Sequence, residues 1–216
     1  MSDGREPAWL DRLAHDLRGP LAPLQTASYL LQRDDLDPAR RTELLELVER
    51  QTHRLARMLD ELDDWRRVGH GNLLGARETS DLALLLDYAL VACGLGGTVV
   101  QGADVVAEVE ADAQRLTQVL RTLLDYAIVR DGQTPALVLA SGDGRARLKA
   151  TLRGPAPSAE EAAALLARPE SDPYDHGLGL RLPLAREIVR AHGGELSASV
   201  EDDHLVLRCE LPLSGH

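Results

Sequence analysis

His15 is the side chain on which the chemistry of this chain centres. An acid, Asp16, stands directly after it, and Pro20 comes five residues further on within a leucine-rich stretch. Imidazole is partly unprotonated at neutral pH, and its free nitrogen is a competent nucleophile. Leu10, Leu13, Leu17, Leu21, Leu24 and Leu31 recur at spacings of three, four and seven, which makes one apolar helical stripe. His15 lies two residues from both Leu13 and Leu17, so it is turned off that stripe. Taken alone, an off-stripe helical histidine is usually a solvated surface residue. Its neighbours say more. Pro20 has no N–H for the carbonyl of Asp16, and Pro23 has none for Gly19. Helices rarely hold Gly19, Pro20 and Pro23 so close together without a reason. A break at this point is the plain alternative, but the stripe stays in phase from Leu17 to Leu31.

The elements that position His15 are set by periodicity. A first helix is predicted from about Pro7 to Arg33, a turn at Asp34–Pro38, and a second helix from Pro38, at its N1 position, to Val68. The second stripe reads Leu44, Val48, Gln51, Leu55, Met58 or Leu59, Leu62 and Trp65, the period of antiparallel coiled-coil packing. One hairpin cannot bury both stripes, so two chains are expected to pair into a four-helix bundle. Residues 7–68 form this part, 69–79 a linker around Gly69-His70-Gly71-Asn72, and 80–214 a second domain. There, Thr79-Ser80-Asp81 caps a helix over 82–92, and 98–109 is strand or loop. A helix covers 111–130, and strands at 136–140 and 146–152 flank the turn Ser141-Gly142-Asp143-Gly144. Two more helices cover 158–168, with Ser158 and Glu161 as a capping box, and 178–191. A hairpin of 195–200 with 204–211 closes the chain. This mixture predicts an α/β sandwich.

Composition narrows the function classes. The chain has 216 residues with 44% hydrophobic content, yet 3% aromatic residues and no Phe, so its core must be aliphatic. Its net charge of −11 disfavours nucleic acid and anionic lipid. No apolar run approaches membrane length and no signal peptide is evident, so a cytoplasmic protein is expected. Cys93 and Cys209 lack metal or redox spacing and read as buried small hydrophobes.

His15-Asp16-Leu17-Arg18-Gly19-Pro20-Leu21 resembles the H-box of bacterial sensor histidine kinases, usually His-Glu/Asp-Leu-Arg-Thr-Pro-Leu. The resemblance implies that His15 carries a phosphoryl group, that Asp16 polarises it and that the proline bends the helix. Gly19 departs from the usual Thr or Asn, which helps position a dephosphorylating water. Gly177-Leu178-Gly179-Leu180 and Ile188-Val189-Arg190-Ala191-His192-Gly193-Gly194-Glu195-Leu196 resemble the family's G2 box and the helix after it. Together these cover residues 8–213 and imply a helical hairpin forming a dimeric four-helix bundle, followed by an ATPase domain of the Bergerat type.

Nucleotide contacts of that family are missing. Gln118-Val119-Leu120-Arg121-Thr122-Leu123-Leu124-Asp125-Tyr126-Ala127 keeps the N-box frame, but Thr122 and Tyr126 replace its asparagines. Tyrosine is a poor ligand for a hard cation, and Asp125 is rotated about 100° from the second position. Leu152-Arg153-Gly154-Pro155-Ala156 stands where the G1 box carries its adenine-reading acid. Asp175 replaces the first G2 glycine, placing negative charge where a triphosphate should lie.

The leading expectation is a histidine phosphotransferase of a phosphorelay, resembling the dimeric ChpT type. His15 would take phosphate from one receiver-domain aspartate and give it to another without ATP. No cofactor is then needed, since the receiver domain of a response regulator brings the magnesium. The alternatives are a diverged ATP-dependent histidine kinase and a non-catalytic pseudokinase that docks a kinase or regulator. Receiver docking is assigned to Arg12, Arg18 and Gly19 beside His15, and to Arg54 and Arg57 on the second helix. His15 lies 21 residues before Leu36, and 21 after it is Arg57.

Overall fold

The leucine stripe carries the first helix through both prolines. α1 spans Ala8–Leu31 with Pro20 and Pro23 inside it, so the alternative of a break does not hold. The computed structural model describes residues 8–170, 173–174 and 177–215, without the side chains of residues 8–12 and 14. The start expected at Pro7 therefore lies outside the described residues. α1 ends two residues before the predicted Arg33, whose guanidinium instead pairs with Asp35 at 2.8 Å in the turn. α2 spans Pro38–Gly69. The Asp37 carboxylate accepts the Arg40 N–H at 3.4 Å, in the manner of a cap, and Pro38 opens the helix where an N–H would have no partner.

Two compact units make up the chain: Met1–Asp63 with Ser171–Gly179, and Asp64–Glu170 with Leu180–His216. In the first, Ala27, Leu44 and Met58 are buried, so Met58 rather than Leu59 faces inward. In the second, the end of α2 is tied to residues far along the chain, since Asp64 pairs with Arg115 at 2.8 Å and accepts from Gln118 at 2.9 Å.

The second unit continues as β1 (Glu78–Asp81), α3 (Leu82–Ala92), β2 (Val100–Gln101), β3 (Glu108–Ala111), α4 (Ala113–Asp131), β4 (Ala136–Gly142), β5 (Arg145–Thr151), α5 (Ala159–Leu165), α6 (Arg181–Ala191), β6 (Glu195–Glu201) and β7 (His204–Pro212). A five-stranded sheet runs β2-β4-β5-β7-β6, with only β2 and β4 parallel, and β1 pairs with β3 separately. α3 packs on α4, and α4 on α6. The hairpin followed by an α/β sandwich is the expected fold class.

Several local differences have simple causes. Residues 79–81 form a strand as well as a cap: Asp81 accepts the Ala83 N–H at 2.9 Å while β1 pairs with β3. The stretch 98–109 divides into β2 and the start of β3. α4 begins at Ala113 because Asp112 caps it, accepting from Arg115 N–H at 3.1 Å. α6 starts three residues later than predicted, since Gly179 is left-handed (φ 76°) and Pro183 falls in the first turn, where no N–H is needed. The Ser158–Glu161 capping box forms as expected. Asp143-Gly144 makes the β4–β5 turn with both φ positive, and Asp202-Asp203 does the same between β6 and β7.

The core is aliphatic, built on Leu116, Leu120, Leu139, Leu182, Ile188 and Leu205 among others. Cys209 lies in it, with burial pushing its thiol up to about 12. Cys93 departs from expectation: it is half-buried and donates to Asp125 at 3.3 Å. On the sheet, Glu201 pairs with Arg208 and, at 3.1 Å, with Lys149, which together hold its carboxyl at about 2. Buried His192 joins three elements. Its Nε2 accepts the Asp112 N–H at 3.0 Å, so its Nδ1 donates to the Ile188 carbonyl at 2.8 Å, and Asp112 in turn accepts from Gly75 N–H at 2.8 Å. Among the described residues no helix is long and apolar enough to cross a membrane.

Candidate functional site

His15 stands exposed on α1, four turns before the helix ends, with Arg18 and Gly19 also exposed and Pro20 buried. The off-stripe placement thus presents the imidazole to solvent. Asp16 is half-buried and adjacent, but neighbours on a helix point about 100° apart. A Cβ added at Gly19 would meet nothing within 4 Å. Packing does not require glycine there, and the space beside the histidine is open. The Arg12 side chain lies outside the described residues.

Arg54 and Arg57 come together on α2. With Arg50, Gln51 and His53 they line a cavity of about 510 Å³. Gln51 Oε1 is buried in the structure without a hydrogen-bond partner. Residues 50, 53, 54 and 57 share helical spacing, which sets Arg50 and His53 beside the two arginines that the count across the turn had named. His15, Arg18 and Gly19 do not line this cavity.

The glycine-flanked segment after Tyr174 belongs to the same unit as the hairpin. Its Leu178 N–H donates to the carboxylate of buried Glu61 at 3.2 Å. A backbone donor in the segment that resembles the G2 box is thus engaged by an internal carboxylate. Asp175 and His176 lie outside the described residues.

In the α/β unit the residues that the resemblance aligns with nucleotide contacts make internal hydrogen bonds. Thr122 is buried and its hydroxyl donates to the Gln118 carbonyl at 2.9 Å. Tyr126 is buried with its hydroxyl accepting from Arg130 at 3.0 Å, and Arg130 also donates to the Pro155 carbonyl at 2.8 Å. Burial raises the Tyr126 phenol, so the phenol stays neutral. Leu152 is sealed in the core and its N–H donates to the Leu205 carbonyl at 2.9 Å. Asp131 accepts the Gly154 N–H at 2.8 Å, and a Cβ at Gly154 would run into that carboxylate. Asp125 pairs with Arg181 at 3.0 Å and accepts from Cys93. Burial, then Asp125, push the Cys93 thiol up to about 11, so it is no thiolate at neutral pH. Among the described residues no group of three or more His, Cys, Asp or Glu could hold a metal ion. By the resemblance, Leu152 or Arg153 would stand at the adenine-reading position and Tyr126 at the magnesium position; an apolar or cationic side chain accepts no hydrogen bond, and a phenol is a poor ligand for a hard cation. Arg130, Asp131, Arg181 and Glu61, which complete these contacts, carry no local sequence signal that singles them out.

Residues 8–71 match the His Kinase A (phospho-acceptor) domain. The chain as a whole is similar to the transmitter cores of histidine kinases. The sensor protein KdpD of Mycobacterium tuberculosis is 30% identical over 209 residues, covering 88% of this chain and 24% of KdpD. The sensor protein kinase CarS of Pseudomonas aeruginosa is 33% identical over 211 residues, covering 94% of this chain and 46% of CarS. The chain thus spans less than half the length of these curated relatives. The histidine kinase ThkA, solved in complex with the response regulator TrrA, shares the fold with a TM-score of 0.69 at 19% identity, over 95% of this chain and 61% of ThkA. These relatives are sensor kinases rather than phosphotransferases of the ChpT type. His15 falls within the residues that match the phospho-acceptor domain.

Proposed function

We propose that this transmitter core passes a phosphoryl group through His15 to or from the aspartate of a response regulator receiver domain, and does so as a homodimer. The observation that carries the reading is an exposed imidazole on a helix inside a phospho-acceptor domain, beside open space at Gly19. In the transfer, the imidazole lone pair attacks phosphorus, the N–P bond forms, and the P–O bond to the leaving group breaks. With an aspartyl phosphate the leaving group is the carboxylate; in the reverse step that carboxylate attacks phosphorus, the N–P bond breaks, and the aspartyl phosphate re-forms as the imidazole leaves. Arg50, Arg54 and Arg57 supply positive charge to meet the acidic face of a receiver.

Two sources of the phosphoryl group have support. Kinship with sensor kinases such as KdpD and CarS favours an ATP-dependent core over a ChpT-like phosphotransferase. The side chains at the nucleotide positions favour the second source, a receiver aspartyl phosphate. Leu152 accepts no adenine hydrogen bond, Tyr126 is held by Arg130, and Leu178 N–H is held by Glu61.

Radiolabel transfer separates these readings. Label on the wild type but not on His15→Ala from ATP and magnesium supports the kinase. Label only from a phosphorylated receiver domain supports the phosphotransferase. A folded protein that takes label from neither leaves a non-catalytic docking role and removes the proposal.

A further inference from the structure

From Glu78 to Gln114 the sequence contains no Lys, Arg or His, although the whole chain has 24 Lys and Arg in 216 residues. The same stretch holds seven acids, from Glu78 to Asp112. α3 lies at its centre and is apolar on two opposite faces. Leu82, Leu85, Leu86, Ala89 and Leu90 are buried on one side. On the other, Leu84, Tyr88 and Val91 are 51%, 59% and 61% exposed. At about 100° per residue these three fall within about 60° of one another, the spacing of a docking stripe. Asp87, exposed, flanks the stripe, and Asp81 caps its N-terminal end. A helix that is apolar all round is ordinarily covered all round. Here one face is covered by the fold and the other is left to solvent.

We propose that the outer face of α3 is a docking surface for a basic amphipathic helix of a partner protein. Charge decides the occupant. The stripe carries Asp87 at its flank and Asp81 at its N-terminal end, and a base beside the helix, Arg121 of α4, sits at the far end against Cys93. Such a stripe pairs with an apolar stripe flanked by Lys or Arg, and it disfavours an acidic partner or an anionic membrane. The face includes none of the residues assigned to phosphoryl transfer, and it stands whichever phosphoryl donor operates.

The test uses the full chain and a fluorescent peptide of about 18 residues with Leu on one helical face and Lys on the other. Controls of the same length carry Leu with Glu, or Ser with Lys. The Leu/Lys peptide should bind, and neither control should match it. The triple variant Leu84→Ser, Tyr88→Ser, Val91→Ser should weaken binding by about tenfold or more. Asp87→Lys should weaken it at low salt, with the difference closing as salt rises. Hydrogen exchange should place protection on residues 82–92. The three positions are exposed, so circular dichroism should show the fold intact; if the triple variant unfolds, Tyr88→Ser alone and Asp87→Lys carry the test. Equal binding by the stripe variants, equal binding of the Ser/Lys peptide, or protection elsewhere would overturn the proposal. So would loss of self-association in the stripe variants, because the occupant would then be a second copy of this chain.

Discussion

Gly19 occupies a mid-helix position where a side chain would touch nothing. Alanine there should stabilise the helix by about 1 kcal/mol through backbone entropy alone. We expect Gly19→Ala to raise the thermal midpoint of the hairpin while slowing phosphoryl transfer with a receiver, because the methyl group enters the space beside His15. Unchanged transfer kinetics would show that the incoming loop does not use this space. We also expect Arg54→Ala with Arg57→Ala to slow transfer, most at low ionic strength, and Arg50→Ala to add to the effect. Rates that stay at the wild-type level across a salt series would move the docking face elsewhere. The exposed placement of His15 was legible because its signal is local: an acid, two prolines and a leucine period within one helix. Arg54 and Arg57 came from counting across a turn. Glu61 and Arg130 were not legible, because nothing near either residue tells which distant backbone group it meets.

At the scale of elements, helices were read well because their period lies within one segment. β1 was missed because Glu78-Thr79-Ser80-Asp81 has no apolar alternation, and only its pairing with β3 makes it a strand. The same dependence on distant partners gives His192 its properties. Burial lowers its pKa below the ordinary value, and its Nε2 faces a donor, the Asp112 N–H. A proton on Nε2 would set two donors against each other. The unfolded chain takes up a proton near pH 6.5 that folded His192 refuses. The His192 contribution to stability is therefore complete above that pH and shrinks as pH falls through and below it. We expect His192→Leu to cost about 1–3 kcal/mol at neutral pH, through the lost acceptor for Asp112 N–H. The gap from wild type should narrow toward about pH 5.5 in urea melts. A gap that stays constant would show that the imidazole is not held neutral.

At the scale of the whole molecule, the hairpin leaves much of its apolar surface open. Leu21, Leu45 and Leu59 are 43%, 54% and 57% exposed. We expect sedimentation at micromolar concentration to give twice the chain mass; a monomer with intact helices would remove the dimer. The order of elements made the fold class legible, since a helical hairpin followed by alternating helices and antiparallel hairpins admits few architectures. The hydrogen bond from Leu178 to Glu61 has a consequence in time. The two residues are 117 apart in sequence. A ribosome adding roughly 5–20 residues per second needs on the order of ten seconds to make the intervening chain. The hairpin emerges first, with a carboxylate whose backbone partner has not yet been synthesised. A nascent hairpin therefore shows the cell an acid at Glu61 that the finished protein keeps inside.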